Sequence, residues 1–147
     1  AACPNYAPVL GFISQVAPII AGGNSVIAIS SEENPAVVVS LAEVLATSDL
    51  TGGVVNVLTG FRKELLPGLA QHMDVNALDL AGITDAERIE VEKAATENLK
   101  RIRIKSWKSA DDLYGSVGEK LDYITDFQEY KTIWHPIEAF GGGSGKY

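Results

Sequence analysis

The side chains that enzymes most often use in chemistry are few and scattered in this sequence. The single cysteine, Cys3, has nothing beside it in the sequence that would lower its thiol pKa, and we interpret it as an incidental residue rather than a nucleophile. The two histidines, His72 and His135, are far apart and lack the cysteine or carboxylate neighbours typical of a metal site. The residues alone therefore predict no catalytic group and no metal centre.

Hydrophobic patterning predicts an alternation of helices and short buried strands. Apolar residues recur at helical spacing over residues 8–21, and Asn34 followed by Pro35 is typical of the start of a second helix. Further helices are predicted over residues 62–72 and from Thr84 to about residue 98, where Glu87 stands at capping-box spacing from Thr84. Strands are predicted over residues 26–29, 54–58, 77–80 and 101–105.

This order of elements predicts the fold class. Strands that alternate with helices of ~10–15 residues indicate βαβ units and a mostly parallel sheet. Right-handed crossovers place the helices on both faces of that sheet. We therefore predict an α/β fold with a Rossmann-like parallel sheet.

Composition and charge disfavour several classes of protein. The chain of 147 residues is 46% hydrophobic, as expected of a globular domain, and its net charge of −7 disfavours nucleic-acid binding. The basic residues between Lys100 and Lys108 alternate with Ile102 and Ile104, and we interpret them as the solvent face of a strand. No apolar run approaches the ~20 residues of a membrane span. A single cysteine is compatible with a reducing compartment, so we expect a cytoplasmic protein.

The chain changes character after residue 105. Polar residues with scattered aromatics are followed by a stretch rich in strand formers, in which residues 130–134, from Tyr130 to Trp134, alternate like the edge of a sheet. An exposed aromatic edge strand favours pairing with another chain. We predict residues 1–105 as one domain, residues 106–140 as an extension that carries this strand, and residues 141–147 as a flexible glycine-rich tail.

Three stretches of the sequence carry a family resemblance. They are Ala-Pro at residues 17–18 with Ala-Gly-Gly-Asn at residues 21–24, Gly-Val-Val-Asn-Val-Leu-Thr-Gly at residues 53–60, and Asn-Leu-Lys-Arg at residues 98–101. Together they resemble the cofactor-binding half of the aldehyde dehydrogenases, over residues 4–105 without large gaps. Residues 130–133 are similar to the C-terminal strand through which those enzymes pair subunits. The resemblance thus implies a cofactor domain joined directly to an oligomerisation strand, without the catalytic domain between them.

Aldehyde dehydrogenases use a cysteine thiolate, a glutamate base and hydride transfer to NAD or NADP. The resemblance implies that the nucleophile belongs to the missing domain and that Lys105 stands where the glutamate would be. A lysine ammonium cannot replace a carboxylate as proton acceptor at neutral pH. Trp107 stands where the family has a small glycine, and Tyr6 where it has an oxyanion-hole asparagine. The resemblance therefore implies that no catalytic residue is intact.

The same resemblance identifies three candidate cofactor-binding residues. Glu32 matches the family's ribose-binding glutamate, and Gly82 matches the glycine of its pyrophosphate-binding Gly-Ser turn. Thr84 opens the following helix and is also explained as its cap. Ile29 replaces the family's ribose-binding lysine, and Glu87 adds a carboxylate near the pyrophosphate position. Binding of NAD or NADP stays open at this point.

Two functions follow as the main hypotheses. The first is a non-catalytic structural or regulatory subunit that forms a homo-oligomer, or assembles with an aldehyde dehydrogenase-family partner, through residues 130–134. The second is an NAD(P)-binding fragment of a larger aldehyde oxidoreductase. A third hypothesis, an unrelated enzyme using Asp111, Asp112 or Tyr114, is supported only by generic polar residues, which are usually solvated surface.

Overall fold

The structure, a computed structural model, describes residues 1–134. The helices of this part are α1 (Pro8–Ala21), α2 (Pro35–Ala46), α3 (Arg62–Gln71), α4 (Asp85–Ala95) and α5 (Asp122–Thr125). The strands are β1 (Val26–Ile29), β2 (Val55–Leu58), β3 (Ala77–Leu80) and β4 (Arg101–Ile104), and short 3-10 helices lie at Thr96–Asn98 and Ala110–Leu113. Over residues 1–134, no helix combines the length and the apolar character needed to cross a membrane.

Residues 1–3 lie at the centre of the sheet. β1 pairs in parallel with β2, and β3 pairs in parallel with β4. Ala2 joins the two pairs, because it forms parallel bridges to both Ile29 and Leu80 and its N–H donates to the Asp79 carbonyl oxygen at 2.8 Å. The strand order is therefore β2, β1, residues 1–3, β3, β4, which is the order of a Rossmann sheet.

The helices cover both faces of this sheet. α1 contacts α2, and α3 contacts α4. One core cluster includes the buried side of α1 and comprises Cys3, Phe12, Val16, Ile19, Val26, Ala28, Val38 and Phe127. The other lies with α3 and α4 and comprises Ala2, Ile29, Leu66, Ala70, Leu78, Leu80 and Val91. Successive strand residues point to opposite faces, so Ala28 and Ile29 contribute to different clusters.

The predicted fold class is confirmed, and the predicted element bounds are close to those observed. Pro35 is the first residue of α2 as predicted, but the Asn34 side chain makes no capping hydrogen bond. Thr84 and Glu87 form the predicted capping box at the start of α4. The strand position of residues 1–3 is not among the predictions, because three residues are too few to show an apolar period.

Part of the predicted extension packs against the rest of the chain. α5 contacts α1, and Phe127 belongs to the core cluster beside α1. Trp107 and Leu113 form a third cluster with Ala81, against which Tyr6 packs. Residues 106–129 therefore share a core with the sheet.

Residues 130–134 pair with no strand within residues 1–134. An edge strand needs a neighbour to pair with, and Tyr130 and Trp134 are 74% and 91% exposed. Pairing of this segment with a second chain stays a prediction. His135, the end of the predicted extension at residue 140 and the predicted tail at residues 141–147 lie outside the described residues.

Candidate functional site

The carboxyl ends of the strands meet at one edge of the sheet, with the turn after residues 1–3 at its centre. In sheets of this strand order, ligands bind in the crevice at that edge, where the order reverses. The predicted cofactor-binding residues all lie there, since Glu32 follows β1 while Gly82 and Thr84 follow β3. This carboxyl edge is therefore the candidate site.

A buried arginine joins two of these three residues. Arg62, the first residue of α3, is 4% exposed. Its Nη1 donates to the Gly82 carbonyl oxygen at 2.9 Å, and its Nη2 donates to the Cys3 carbonyl oxygen at 2.6 Å. Its backbone N–H donates to Oε1 of Glu32. Glu32 and Gly82 are thus connected through Arg62.

The amino end of α4 is also occupied by a group of the protein. Oε2 of Glu87 accepts hydrogen bonds from the Thr84 N–H at 2.7 Å and from the Thr84 hydroxyl at 2.9 Å. A helix N-terminus binds a pyrophosphate through free N–H groups and the positive end of the helix dipole. Here the Glu87 carboxylate supplies the negative charge at that end, and Thr84 acts as the helix cap.

The turn after residues 1–3 packs directly against the loop after β3. A Cβ placed on Gly82 would lie 3.3 Å from Cβ of Pro4 and 3.6 Å from Cε1 of Tyr6. Gly82 has a φ of +63°, which glycine adopts without strain. The Tyr6 hydroxyl donates to the Trp107 carbonyl oxygen at 2.7 Å. Tyr6, which the resemblance placed in an oxyanion hole, thus holds the extension against the sheet.

Lys105 is buried, which corrects the interpretation of the basic cluster as a solvent face. It is 8% exposed, and its Nζ lies 3.5 Å from Oδ1 of Asp79 in β3. The same ammonium lies 3.5 Å from the ring centroid of Tyr123, with the rings of Trp107 and Phe127 at 5.5 and 5.8 Å. A counter-charge and aromatic faces together compensate the buried cation, so the strand can turn this lysine inward.

Burial shifts the proton affinity of three groups near the centre of the sheet. It raises the pKa of the Cys3 thiol to about 12, so the thiol stays protonated at neutral pH. It raises the pKa of the Asp79 carboxyl group, a shift that the Lys105 ammonium opposes. It lowers the pKa of Lys105, a shift that Asp79 opposes in turn. The charged pair therefore carries a desolvation cost that its own attraction only partly offsets.

Arg62 and Asp79 are missing from the predicted site, although the sequence holds a signal for each. A cation at the first position of a helix is unfavourable beside the positive end of the dipole, which indicates that Arg62 has specific partners. Asp79 interrupts an otherwise apolar strand, which indicates a buried counter-charge. A prediction made from the spacing of apolar residues uses neither signal.

The residues at the carboxyl edge do not fit a dinucleotide in the observed arrangement. The Arg62 guanidinium donates to both the Cys3 and the Gly82 carbonyl groups, within the crevice at which sheets of this strand order bind dinucleotides. The carboxylates of Glu32 and Glu87 already accept from backbone N–H groups at this edge. A dinucleotide in this crevice would have to displace the Arg62 guanidinium.

A cavity of about 650 Å³ lies at the opposite, amino edge of the sheet. Val26 and Ile27 of β1 and Ala77 and Leu78 of β3 are among its lining residues. The cavity lies between these two strands, in line with residues 1–3. No group of three or more histidine, cysteine or carboxylate side chains suited to a metal ion occurs within residues 1–134.

Comparison with known proteins identifies relatives of this chain. A family model described as the aldehyde dehydrogenase family matches residues 3–105. The chain is 33% identical over 108 residues to the NADP/NAD-dependent aldehyde dehydrogenase PuuC of Escherichia coli (strain K12), covering 73% of this chain and 22% of that protein. It is 27% identical over 129 residues to aldehyde dehydrogenase 1A1 of Mus musculus, covering 87% of this chain and 25% of that protein.

Solved structures show the same architecture. PnpE from Pseudomonas sp. WBC-3 superposes with a TM-score of 0.65 at 27% identity, covering 71% of this chain and 21% of that one. An indole-3-acetaldehyde dehydrogenase in complex with NAD+ gives a TM-score of 0.65 at 26% identity, covering 71% of this chain and 21% of that one. The chain thus spans about a quarter or less of the length of each of these relatives.

Proposed function

The chain belongs to the aldehyde dehydrogenase family, and from that premise we propose that it is a non-catalytic member that acts as a structural or regulatory subunit. The proposal includes assembly through residues 130–134, with a second copy or with another family member. It also includes a cytoplasmic location, since the single cysteine is buried and suits a reducing compartment.

The observation that carries the proposal is the buried pair of Lys105 and Asp79. The resemblance places Lys105 at the position of the family's glutamate base, and its ammonium is engaged by Asp79 and the Tyr123 ring. A general base must reach the proton that it abstracts and must be free to accept it. Lys105 meets neither condition, and the Cys3 thiol is fully buried.

An assay of aldehyde oxidation tests the lack of catalysis. We expect the purified chain to produce no NADH or NADPH from short aliphatic or aromatic aldehydes above the rate without protein. PuuC of E. coli, assayed at the same concentration of active protein, is the positive control. Turnover by the chain alone would overturn the proposal.

Assembly is supported by the place where residues 130–134 begin, directly after residues that contact β4. Nη1 of Arg101 donates to the Gln128 carbonyl oxygen at 2.8 Å, and Arg103 pairs with Asp126 at 3.0 Å. Both arginines belong to β4, which has β3 as its single strand neighbour in the part that the structure describes. Residues 130–134 therefore begin beside the open edge of β4. A second chain can pair there with β4 and with residues 130–134.

The double variant Ile133→Glu/Trp134→Glu is expected to abolish assembly. Burying two carboxylates in an interface removes two apolar anchors and adds desolvation cost, so we expect the dissociation constant to rise at least ~100-fold, about 2.7 kcal/mol. Sedimentation velocity over a concentration series measures this change. The variant Tyr114→Glu/Leu121→Glu is the matched control, because it adds the same charges at exposed apolar positions elsewhere. A wild-type chain that is monomeric both alone and with a family partner would contradict the prediction.

A second candidate function is an NAD(P)-binding fragment of a larger aldehyde oxidoreductase. It is supported by the small share of each relative that the chain spans. In this case the chain would bind NAD+ and would gain aldehyde oxidation when combined with the remaining domains. Calorimetry with millimolar NAD+ separates the two candidates, because heat of binding favours the second.

A further inference from the structure

Arg62 ties together the two segments that border the central crevice. The Cys3 carbonyl group ends the central strand, and the Gly82 carbonyl group belongs to the loop after β3. A guanidinium that donates to both makes charge-assisted hydrogen bonds, which are shorter and stronger than neutral ones. Since Arg62 is nearly fully buried, this contact occupies the crevice and not its surface.

Two carboxylates lie at the helix amino ends beside this contact. Glu32 accepts from the Arg62 N–H at the amino end of α3, and Glu87 accepts from the Thr84 N–H at the amino end of α4. Helix N-termini of this kind receive anionic ligands in other proteins. Here a carboxylate of the chain itself accepts from one N–H group at each of these two ends.

We propose that the Arg62 side chain closes the dinucleotide crevice of this chain, with Glu87 as the internal anion at the neighbouring helix. The Arg62 side chain thereby fills the space in the crevice that a dinucleotide would otherwise occupy. This inference concerns only the carboxyl edge of the sheet. It does not depend on assembly through residues 130–134, so either proposal can fail alone.

Removal of the guanidinium is expected to open the crevice. Arg62→Ala leaves space between residues 3 and 82 and frees two carbonyl oxygens, which accept hydrogen bonds from ribose hydroxyl groups. We expect the dissociation constant for NAD+, measured by calorimetry, to fall at least ~10-fold relative to the wild type. Arg62→Ala/Glu87→Gln should show the larger gain, because glutamine keeps the capping box but removes the negative charge.

The change in charge alone predicts weaker NAD+ binding by Arg62→Ala, the opposite of the expected result. Loss of a positive charge weakens the attraction of a pyrophosphate, so tighter binding by Arg62→Ala reports the opened space. Arg88→Ala is the matched control, since it removes an exposed arginine of α4 and should leave the dissociation constant unchanged or slightly higher. Arg62→Gln provides a second variant that keeps side-chain donors for one of the carbonyl groups.

Three results would overturn the proposal. The first is a folded Arg62→Ala or Arg62→Gln variant, judged by circular dichroism, that binds NAD+ no better than the wild type. The second is a wild-type chain that binds NAD+ as tightly as the variants. The third needs no variant: if millimolar NAD+ slows amide exchange of residues 82–84 in the wild type, the crevice is open. Unchanged exchange at these residues supports the proposal.

Discussion

Lys105→Met is expected to lower the free energy of unfolding by about 3–5 kcal/mol at neutral pH. The variant removes the counter-charge of Asp79, which is 2% exposed. A buried carboxylate without a partner costs far more than the intact pair. Equilibrium urea denaturation at pH 7 measures the difference, and a loss below about 1 kcal/mol would contradict the role given to the pair.

The deficit of this variant should shrink as the pH falls. Burial raises the pKa of Asp79 above its unfolded value, so the folded state binds the proton more tightly and the contribution of this group to stability increases on acidification. Without Lys105 the largest influence that opposes this shift is lost, and only the amino terminus and Gln15 still lower the pKa of Asp79. We expect a clearly smaller deficit near pH ~4 than at pH 7, because the ordinary aspartate pKa is about 3.9. An equal deficit at both values would show that lost packing, and not charge, is responsible.

Replacement of both partners separates the effect of an unpaired buried charge from the effect of lost packing. Asp79→Val/Lys105→Met leaves no unpaired charge, so it should be close to neutral or should stabilise the chain by about 1–4 kcal/mol relative to the wild type. The strong coupling between the two positions is the expected signature of a direct interaction.

Trp107→Ala is expected to cost about 3–5 kcal/mol of unfolding free energy. The indole is 3% exposed, packs edge-to-face on Tyr123 with ring centroids 5.6 Å apart, and donates through Nε1 to the Tyr123 hydroxyl at 3.2 Å. Its loss leaves a cavity between the sheet and the extension, so residues 106–129 should also become sensitive to proteolysis. Urea denaturation and limited trypsin digestion measure the two effects.

Trp134→Ala is the matched control for this prediction. The chain has two tryptophans, and Trp134 is almost fully exposed, so the same substitution there should change stability by no more than about 0.5 kcal/mol in the single chain. Equal effects at the two positions would contradict the placement of Trp107 in the core.

The local elements of this fold are readable from the sequence because each has a signal within a few residues. Pro35 and the Thr84–Glu87 pair mark helix starts, and apolar runs of four residues mark strands that helices cover on both faces. The parallel pairing of the strands follows from their alternation with helices, but the strand order, with residues 1–3 at its centre, does not.

The chemistry of the carboxyl edge is not readable in this way because its partners are far apart in sequence. Lys105 alternates with isoleucines as a solvent-facing residue would, and its buried position depends on Asp79 of the neighbouring strand. Arg62 contacts residues 3 and 82, which no local pattern relates. Glu32 and Gly82 were found through family resemblance, but their engagement by Arg62 depends on tertiary contacts.

The central position of residues 1–3 has a consequence for how the chain folds. This segment is synthesised before both of its partner strands, and its bridges reach Ile29 and Leu80. The β1–β2 and β3–β4 halves cannot merge until β3 has been made, and contacts of such long sequence separation slow folding. Until then the nascent polypeptide exposes unpaired backbone and apolar side chains, which favours dependence on chaperones during translation.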